Sequence, residues 1–359
     1  MAENKSTILI PDISGFTEFM TTTELTHASH ALNYLIDAIL NAVGDEYEVA
    51  EIEGDAVLLI KKGPPPSKKE IRDICLKIFI AFHYQRKWMQ QHTICPCGAC
   101  QAIINLTLKF VVHHGPLSEI KVGRFVKPSG TEMIVAHRLL KNSINNNEYL
   151  LLTEKLLRQV PDDSDESEGE WVRSSEEYPA IGKVEYRFML LNDARNKVPD
   201  PPPLQNNYRT DDTSHLDVYI EANYFDVYLM ATNIPGREEW MPGLKKVQQD
   251  GTDVYIGSIH RCTFEGYEAV ISPLRMTASN EGVMFAESFS IQEEDLSLVY
   301  ELAFQKITDN TCKFSGRFMN TVDAPIPEKM NAVLFGQLQR MAEALKTICE
   351  KQQDHQLQH

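Results

Sequence analysis

Two carboxylates stand where strands are expected to end or turn. Ile8-Leu9-Ile10-Pro11-Asp12-Ile13-Ser14-Gly15-Phe16-Thr17 reads as a buried strand running into a turn that presents Asp12. Glu53-Gly54-Asp55-Ala56 reads as a tight turn between two strands that presents Asp55. If those strands are neighbours, the two aspartates converge on a pair of divalent metal ions. That is the geometry of metal-assisted phosphoryl chemistry on a nucleotide. A second set of reactive residues lies at His92-Thr93-Ile94-Cys95-Pro96-Cys97-Gly98-Ala99-Cys100. The C-x-C-x-x-C spacing of Cys95, Cys97 and Cys100 is one ligand short of a four-ligand zinc site. His92 is the nearest fourth ligand, with His113, His114 and Cys75 as alternatives if folding brings them close. An iron–sulfur cluster lacks a clear fourth cysteine. Structural zinc, reactive thiols and an incidental turn all remain open readings of this loop.

The elements that must position these groups are legible from hydrophobic periodicity. Residues 7–13 read as a strand, and 24–43 as an amphipathic helix with Leu32, Leu35, Ile36, Ile39 and Leu40 on one face. Glu46 to Ile60 reads as a hairpin turning at Gly54-Asp55. Ser67 is a candidate N-cap for a helix reaching about Gln91. A strand is expected over Ile103–Val112, a helix over Gly130–Asn142, and strands over Tyr149–Leu152 and Val184–Leu191. The order is that of an α+β sandwich. Residues 161–178, rich in Asp, Glu and Ser, read as a solvated loop. Residues 196–214 have the proline-rich composition of a linker. Beyond it, strands are expected over Leu216–Ala222, Asp253–Phe264, Ala269–Ser279, Val283–Gln292, Leu296–Ile307 and Cys312–Asn320. A long amphipathic helix, Pro327–Gln352, follows, and 353–359 is a tail. The expected domains are thus 1–195 and 215–352.

Bulk properties narrow the function classes. The chain has 359 residues, 43% hydrophobic and 24% charged, and a formal net charge of −16. That charge opposes general affinity for nucleic acid or anionic membrane, though not for one nucleotide in a metal-neutralised pocket. No apolar run reaches the roughly 18 residues of a membrane span, and Met1 to Asp12 lacks the design of a signal peptide. A cytoplasmic location is expected, and seven cysteines do not suggest a disulfide framework.

Four segments, "IPDISGFT", "EGDAVLL", "VVHHGPLSEIKVG" and "GTEMIVAHRL", occur in the order seen in class III nucleotide cyclase catalytic domains. Residues 6–160 resemble that family. The resemblance implies a ferredoxin-like α/β sandwich in which Asp12 and Asp55, with the carbonyl of Ile13, hold two Mg²⁺ or Mn²⁺ ions. It implies that amides of Ser14, Gly15, Phe16 and Thr17 cradle phosphate oxygens, and that Arg138 stabilises the transition state. A nucleoside triphosphate would be the substrate, and a homodimer would complete the pocket. The chain departs from the family where an asparagine orients the ribose, because that position is Ile134. The base-selecting positions match Glu51 and Lys127, a pair with donor and acceptor capacity for guanine. Plainer readings accompany each residue. Glu51, Glu53 and Asp55 form a solvated strand edge, Asp12 serves the turn of a fold that has lost catalysis, and Arg138 pairs with a surface carboxylate.

The segment "IEANYFDVYLMATNIPGREEWMPGLKKV", the strand series after it and the terminal helix resemble the START-like (SRPBCC, polyketide cyclase/lipid transport) superfamily over residues 215–352. The pairing of the two domains looks like that of a bacterial two-domain family. This second resemblance implies a helix-grip fold, a curved antiparallel sheet around the long helix, that encloses a hydrophobic small molecule. Candidate lining residues are Trp240, Phe264, Met276, Phe285 and Phe289, with Met330, Leu334 and Met341 facing the sheet. His260 reads as a lone strand histidine. Together these expectations describe a divergent, catalytically impaired cyclase-like protein with a signalling or regulatory role. The alternatives are an active purine nucleotide cyclase and a carrier of a hydrophobic ligand.

Overall fold

The computed structural model describes residues 5–22, 25–93, 102–123, 125–160, 170–203, 215–249, 254–294, 296–320, 326 and 328–357. These divide into two compact units, 5–91 with 102–201, and 92–93 with 202–357. No helix among the described residues is long and apolar enough to cross a membrane.

In the first unit the chain runs β1 (Lys5–Ser14), α1 (Phe16–Thr22), α2 (Leu25–Val43), β2 (Glu48–Glu53), β3 (Ala56–Lys62) and α3 (Lys68–His92). It continues through β4 (Thr107–Pro116), β5 (Ser118–Val122), β6 (Phe125–Ser129), α4 (Thr131–Arg138), β7 (Tyr149–Thr153), α5 (Glu154–Leu157), β8 (Val172–Tyr178) and β9 (Gly182–Leu190). Seven strands form one sheet in the order β2-β3-β1-β4-β7-β9-β8, and β5 and β6 form a separate two-stranded ribbon. Of the pairings in the main sheet, β4–β7 is parallel and the rest are antiparallel. Alternation puts Ile8 and Ile10 on the face where they pack with Leu58, Ile60, Met133 and Ala136 of β3 and α4. Leu9, on the other face, is equally buried. The central strand therefore has no solvated side, and only its end is available for chemistry. α3 starts at a reciprocal capping box. The Glu70 amide donates to Ser67 Oγ at 3.2 Å, and the Ser67 amide donates to Glu70 Oε2 at 2.7 Å.

The expected acidic loop over 161–178 needs correction at its end, because 172–178 is strand β8. Val172-Arg173-Ser174-Ser175-Glu176-Glu177-Tyr178 reads as loop because an edge strand keeps a polar face toward water. The helix expected to reach Asn142 stops at Arg138, and the β5–β6 ribbon was not anticipated.

The second unit contains β10 (His215–Ile220), α6 (Tyr224–Thr232), β11 (Leu244–Gln249), β12 (His260–Phe264), β13 (Glu268–Ser279), β14 (Gly282–Ile291), β15 (Leu296–Thr308), β16 (Thr311–Asn320) and α7 (Glu328–Leu357). Its seven-stranded antiparallel sheet has the order β10-β16-β15-β14-β13-β12-β11. The α7 stripe Leu334, Leu338, Met341, Ala342, Leu345 and Cys349 is buried in one core with Phe285, Phe304, Phe314 and Phe318. The strand expected from Asp253 begins only at His260, while α6 and edge strand β11 were not foreseen.

Candidate functional site

β1 lies between β3 and β4, which sets Asp12 opposite Ala56 on one side and opposite Lys109 on the other. The β2–β3 turn at Gly54-Asp55 is tied to β1 by the Ile13 amide, which donates to the Asp55 carbonyl at 3.0 Å. The two aspartates thus meet at one end of the sheet. Asp12 is 8% exposed. Burial raises its carboxyl pKa, the Lys109 ammonium at 3.0 Å opposes that rise, and Asp55 adds to it. Burial also raises the Asp55 carboxyl, against its own backbone hydrogen bond and Lys109. The Lys109 ammonium donates a second hydrogen bond to the Leu140 carbonyl at 3.2 Å. Lys109 is absent from the sequence-based candidates. Its signal was a lysine inside the apolar run Leu108-Lys109-Phe110-Val111-Val112, but only the register shows that it faces Asp12.

At the end of β1, the Ser14 hydroxyl is buried without a hydrogen-bond partner among the described residues. Gly15 adopts φ +87°, which turns the chain into α1, and the Phe19 amide donates back to the Gly15 carbonyl. Phe16 and Thr17 are in the first helical turn, whose amides lack intrahelical partners. Among the described residues no group of three or more His, Cys, Asp or Glu is placed to hold a metal ion. Mg²⁺ is commonly held by one or two carboxylates completed by substrate phosphates and water. Asp12 and Asp55 are the residues that could hold such a cation, and two carboxylates alone do not form a self-sufficient protein cage.

The remaining candidates gather around α4. Lys127 on β6 pairs with Glu51 at 2.6 Å and with Glu53 at 3.5 Å, and His137 Nδ1 is 3.6 Å from Glu53. Glu51 and Lys127 are therefore brought together as the sequence suggested, but they satisfy each other. A cleft of about 620 Å³ is lined by Glu53, Lys127, Ile134, His137, Arg138 and Tyr178, among others. Ile134 is 53% exposed, so its apolar side chain faces this opening rather than the core. Arg138 ends α4, exposed, and its carbonyl accepts from the Tyr178 hydroxyl at 3.0 Å.

The reserve ligands of the cysteine loop have other roles. His113 Nε2 donates to Glu132 Oε2 at 2.5 Å, and Nδ1 meets the Thr153 hydroxyl at 2.8 Å. Both ring nitrogens are engaged, so His113 is not available as a ligand. His114 Nδ1 bonds Thr7 Oγ1 at 3.0 Å, and Cys75 is fully buried in α3. His92 ends α3, whereas Cys95, Cys97 and Cys100 lie outside the described residues.

In the second unit a cavity of about 350 Å³ is bounded by Phe264, Tyr267, Phe289, Tyr300, Leu338 and Met341, among others. Glu287 also lines it, and its carboxylate is paired bidentately with buried Arg237 at 2.9 and 2.7 Å. Phe264 and Phe289 were expected here. Trp240, Met276 and Phe285 are not among the lining residues, and Phe285 is wholly buried in the core. Of the helix residues expected to face the sheet, Met341 lines the cavity, Leu334 lies in the core and Met330 packs against it. Burial lowers the His260 pKa to about 4, and Ser258 Oγ lies 2.8 Å from its Nε2, as suits a neutral core histidine.

The profile of a family described as "Protein of unknown function (DUF2652)" matches residues 32–149. The chain is 32% identical over 130 residues to the uncharacterized protein Rv2561/Rv2562 of Mycobacterium tuberculosis. That match takes in 36% of this chain and 60% of the length of the curated relative. Among solved structures, the guanylyl cyclase Cya2 is similar with a TM-score of 0.40 and 14% identity, over 53% of this chain and 94% of that one. The adenylyl cyclase CyaB from P. aeruginosa is similar with a TM-score of 0.36 and 15% identity, over 52% and 94% respectively.

Proposed function

We propose that the first unit binds a metal–nucleoside triphosphate at Asp12 and Asp55 with weakened or lost catalysis. In this reading the second unit, a START-like helix-grip domain, binds a hydrophobic small molecule in its aromatic cavity, and the protein has a cytoplasmic signalling or regulatory role. The observation that carries the nucleotide reading is the meeting of two partly buried carboxylates across β1 and the β2–β3 turn. A bound Mg²⁺ or Mn²⁺ would acidify the ribose 3′-hydroxyl and stabilise charge on the phosphates. The chain itself supplies the two carboxylates, the amides near Ser14 to Thr17, and Lys109 as a cation beside them. Weak catalysis is supported by Ile134, which lines the α4 cleft with a side chain that makes no hydrogen bond to a sugar. The Glu51–Lys127 pair must open before either residue can read a base. A homodimer would bring the Arg138 cleft of one protomer to the aspartates of the other.

Arg138 favours the second reading, an active purine nucleotide cyclase, because its exposed side chain lines the same cleft. The third reading, a carrier, rests on the cavity of the second unit. The deciding experiment incubates the full chain with Mn²⁺ and each of four nucleoside triphosphates, beside Asp55→Ala, and seeks 3′,5′-cyclic products by mass spectrometry. We expect nucleotide binding that the variant loses and little or no cyclic product. A cyclic product that disappears in the variant makes the chain a cyclase and identifies its base. Absence of both binding and product from folded protein removes the nucleotide reading. Zinc in the cysteine loop is tested separately by elemental analysis of native protein, and a metal-free result rejects it.

A further inference from the structure

We propose that Lys109 is a tethered counter-ion at Asp12, which keeps a divalent ion from settling there until a polyphosphate arrives with it. The proposal rests on the metal–nucleotide reading above and specifies how the two ligands are coupled. Asp12 and Lys109 are register partners on adjacent antiparallel strands, so their side chains emerge on the same face. Their charged ends are 3.0 Å apart, and the side chains are only 11% and 17% exposed. The ammonium is also anchored by the Leu140 carbonyl, so two of its three donors have fixed partners. It therefore occupies one side of the carboxylate a metal ion would need.

A lone divalent cation entering this pocket meets two carboxylates and one ammonium. It gains the carboxylates only by crowding or displacing a positive charge in a weakly screened place. A polyphosphate changes that balance, because its oxygens accept the displaced ammonium while the metal takes Asp12 and Asp55. Ion and phosphate then each strengthen the binding of the other, and thermodynamic linkage makes the effect reciprocal. Packing alone does not explain the lysine, since a buried ion pair is often no more stabilising than an apolar pair of similar volume.

The test titrates Mn²⁺ into full-length protein without nucleotide and reads free ion by electron paramagnetic resonance, for wild type, Lys109→Gln and Lys109→Arg. Removal of the tethered charge is expected to tighten Mn²⁺ binding by about tenfold or more, within the usual range of coupling between sites. Lys109→Arg keeps the charge and is expected to match wild type. Equal affinity in all three proteins overturns the proposal and leaves the metal reading intact. Absence of Mn²⁺ binding in all three removes the metal reading, and this proposal with it. If Lys109→Gln does not fold, thermal melting of wild type decides. Mg²⁺ with inorganic tripolyphosphate is expected to raise the melting temperature, while either alone gives little shift. A full shift with Mg²⁺ alone overturns the proposal.

Discussion

Strand β4 carries two charged clusters on the same face, four residues apart, and they are held in opposite electrostatic states. At Lys109 the partner is Asp12, whose carboxyl remains above its ordinary pKa because burial outweighs the ammonium. At His113 the partner is Glu132, held down to about 2 chiefly by the hydrogen bond from His113, against burial, with help from Lys155. The second cluster is closed. His113 is fixed by Thr153, which also caps α5 by accepting from the Leu156 amide. The backbone of Gly115 leaves room for Glu132, since a Cβ there would lie 2.8 Å from its Cγ and Cδ. The first cluster is open: among the described residues it has Asp55 beside it, a Ser14 hydroxyl without a partner nearby and one cation, Lys109, acting on both carboxylates. Burial in both cases is high, so the difference lies in how completely the charge is answered. A well-answered cluster holds α4 on the sheet, while an incompletely answered one leaves carboxyl groups with raised pKa values at the sheet end.

The largest effect is expected at the closed cluster. Glu132→Ala removes the carboxylate that buried His113 and Lys155 share, and should destabilise the protein by about 3 kcal/mol in chemical denaturation. The corresponding pH dependence has a definite direction. With the folded pKa near 2 and the ordinary value at 4.5, the contribution of Glu132 is present above pH 4.5 and fades as pH falls toward 2. Wild type should therefore lose more stability than Glu132→Gln over that interval. Equal acid sensitivity would mean that Glu132 is not held as the geometry indicates.

The open cluster was the more legible of the two in sequence. Asp12 and Asp55 stand out because a strand end and a glycine turn are local signals, and their convergence needs only one strand pairing. The closed cluster joins β4, α4, the end of β7 and α5, so its members have no common local pattern. Lys109 was hidden for the same reason, since its meaning depends on a β1–β4 register that no local motif reveals. The unforeseen strands β8 and β11 both lie at sheet edges, where polar residues replace the periodicity used to find strands. In the second unit the strand series was readable from alternation, but the cavity depended on which aromatic rings the packing left at its wall. That choice retained Phe289 and put Phe285 in the core.

Asp55→Asn tests the open side of the comparison with a smaller expected effect. A carboxyl whose folded pKa is raised favours folding in its protonated form. That contribution is present below the ordinary value of 3.8 and is lost as pH rises through the folded value. Near neutral pH the ionised Asp55 therefore costs stability, and the amide should leave the protein equally stable or more stable by about 0.5 kcal/mol. The same variant should lose any thermal response to Mn²⁺ with nucleotide. A clear destabilisation would reassign Asp55 to the scaffold and remove the contrast with Glu132.

Lys127→Ala should have the smallest effect on stability, although Lys127 makes the shortest ion pair at the α4 cleft. Its ammonium is 2.6 Å from Glu51, but its side chain is more than half exposed, so solvent and salt screen the attraction. The expected change in chemical denaturation is too small to separate the variant from wild type, as is usual for an exposed pair. The functional readout should respond more strongly. Loss of the partner frees Glu51 to accept hydrogen bonds, so relative affinity among nucleoside triphosphates should change while affinity for inorganic tripolyphosphate stays constant. Parallel losses for every nucleotide and for tripolyphosphate would place Lys127 with the phosphates, and would join two groups of residues that the structure keeps apart on separate ion pairs.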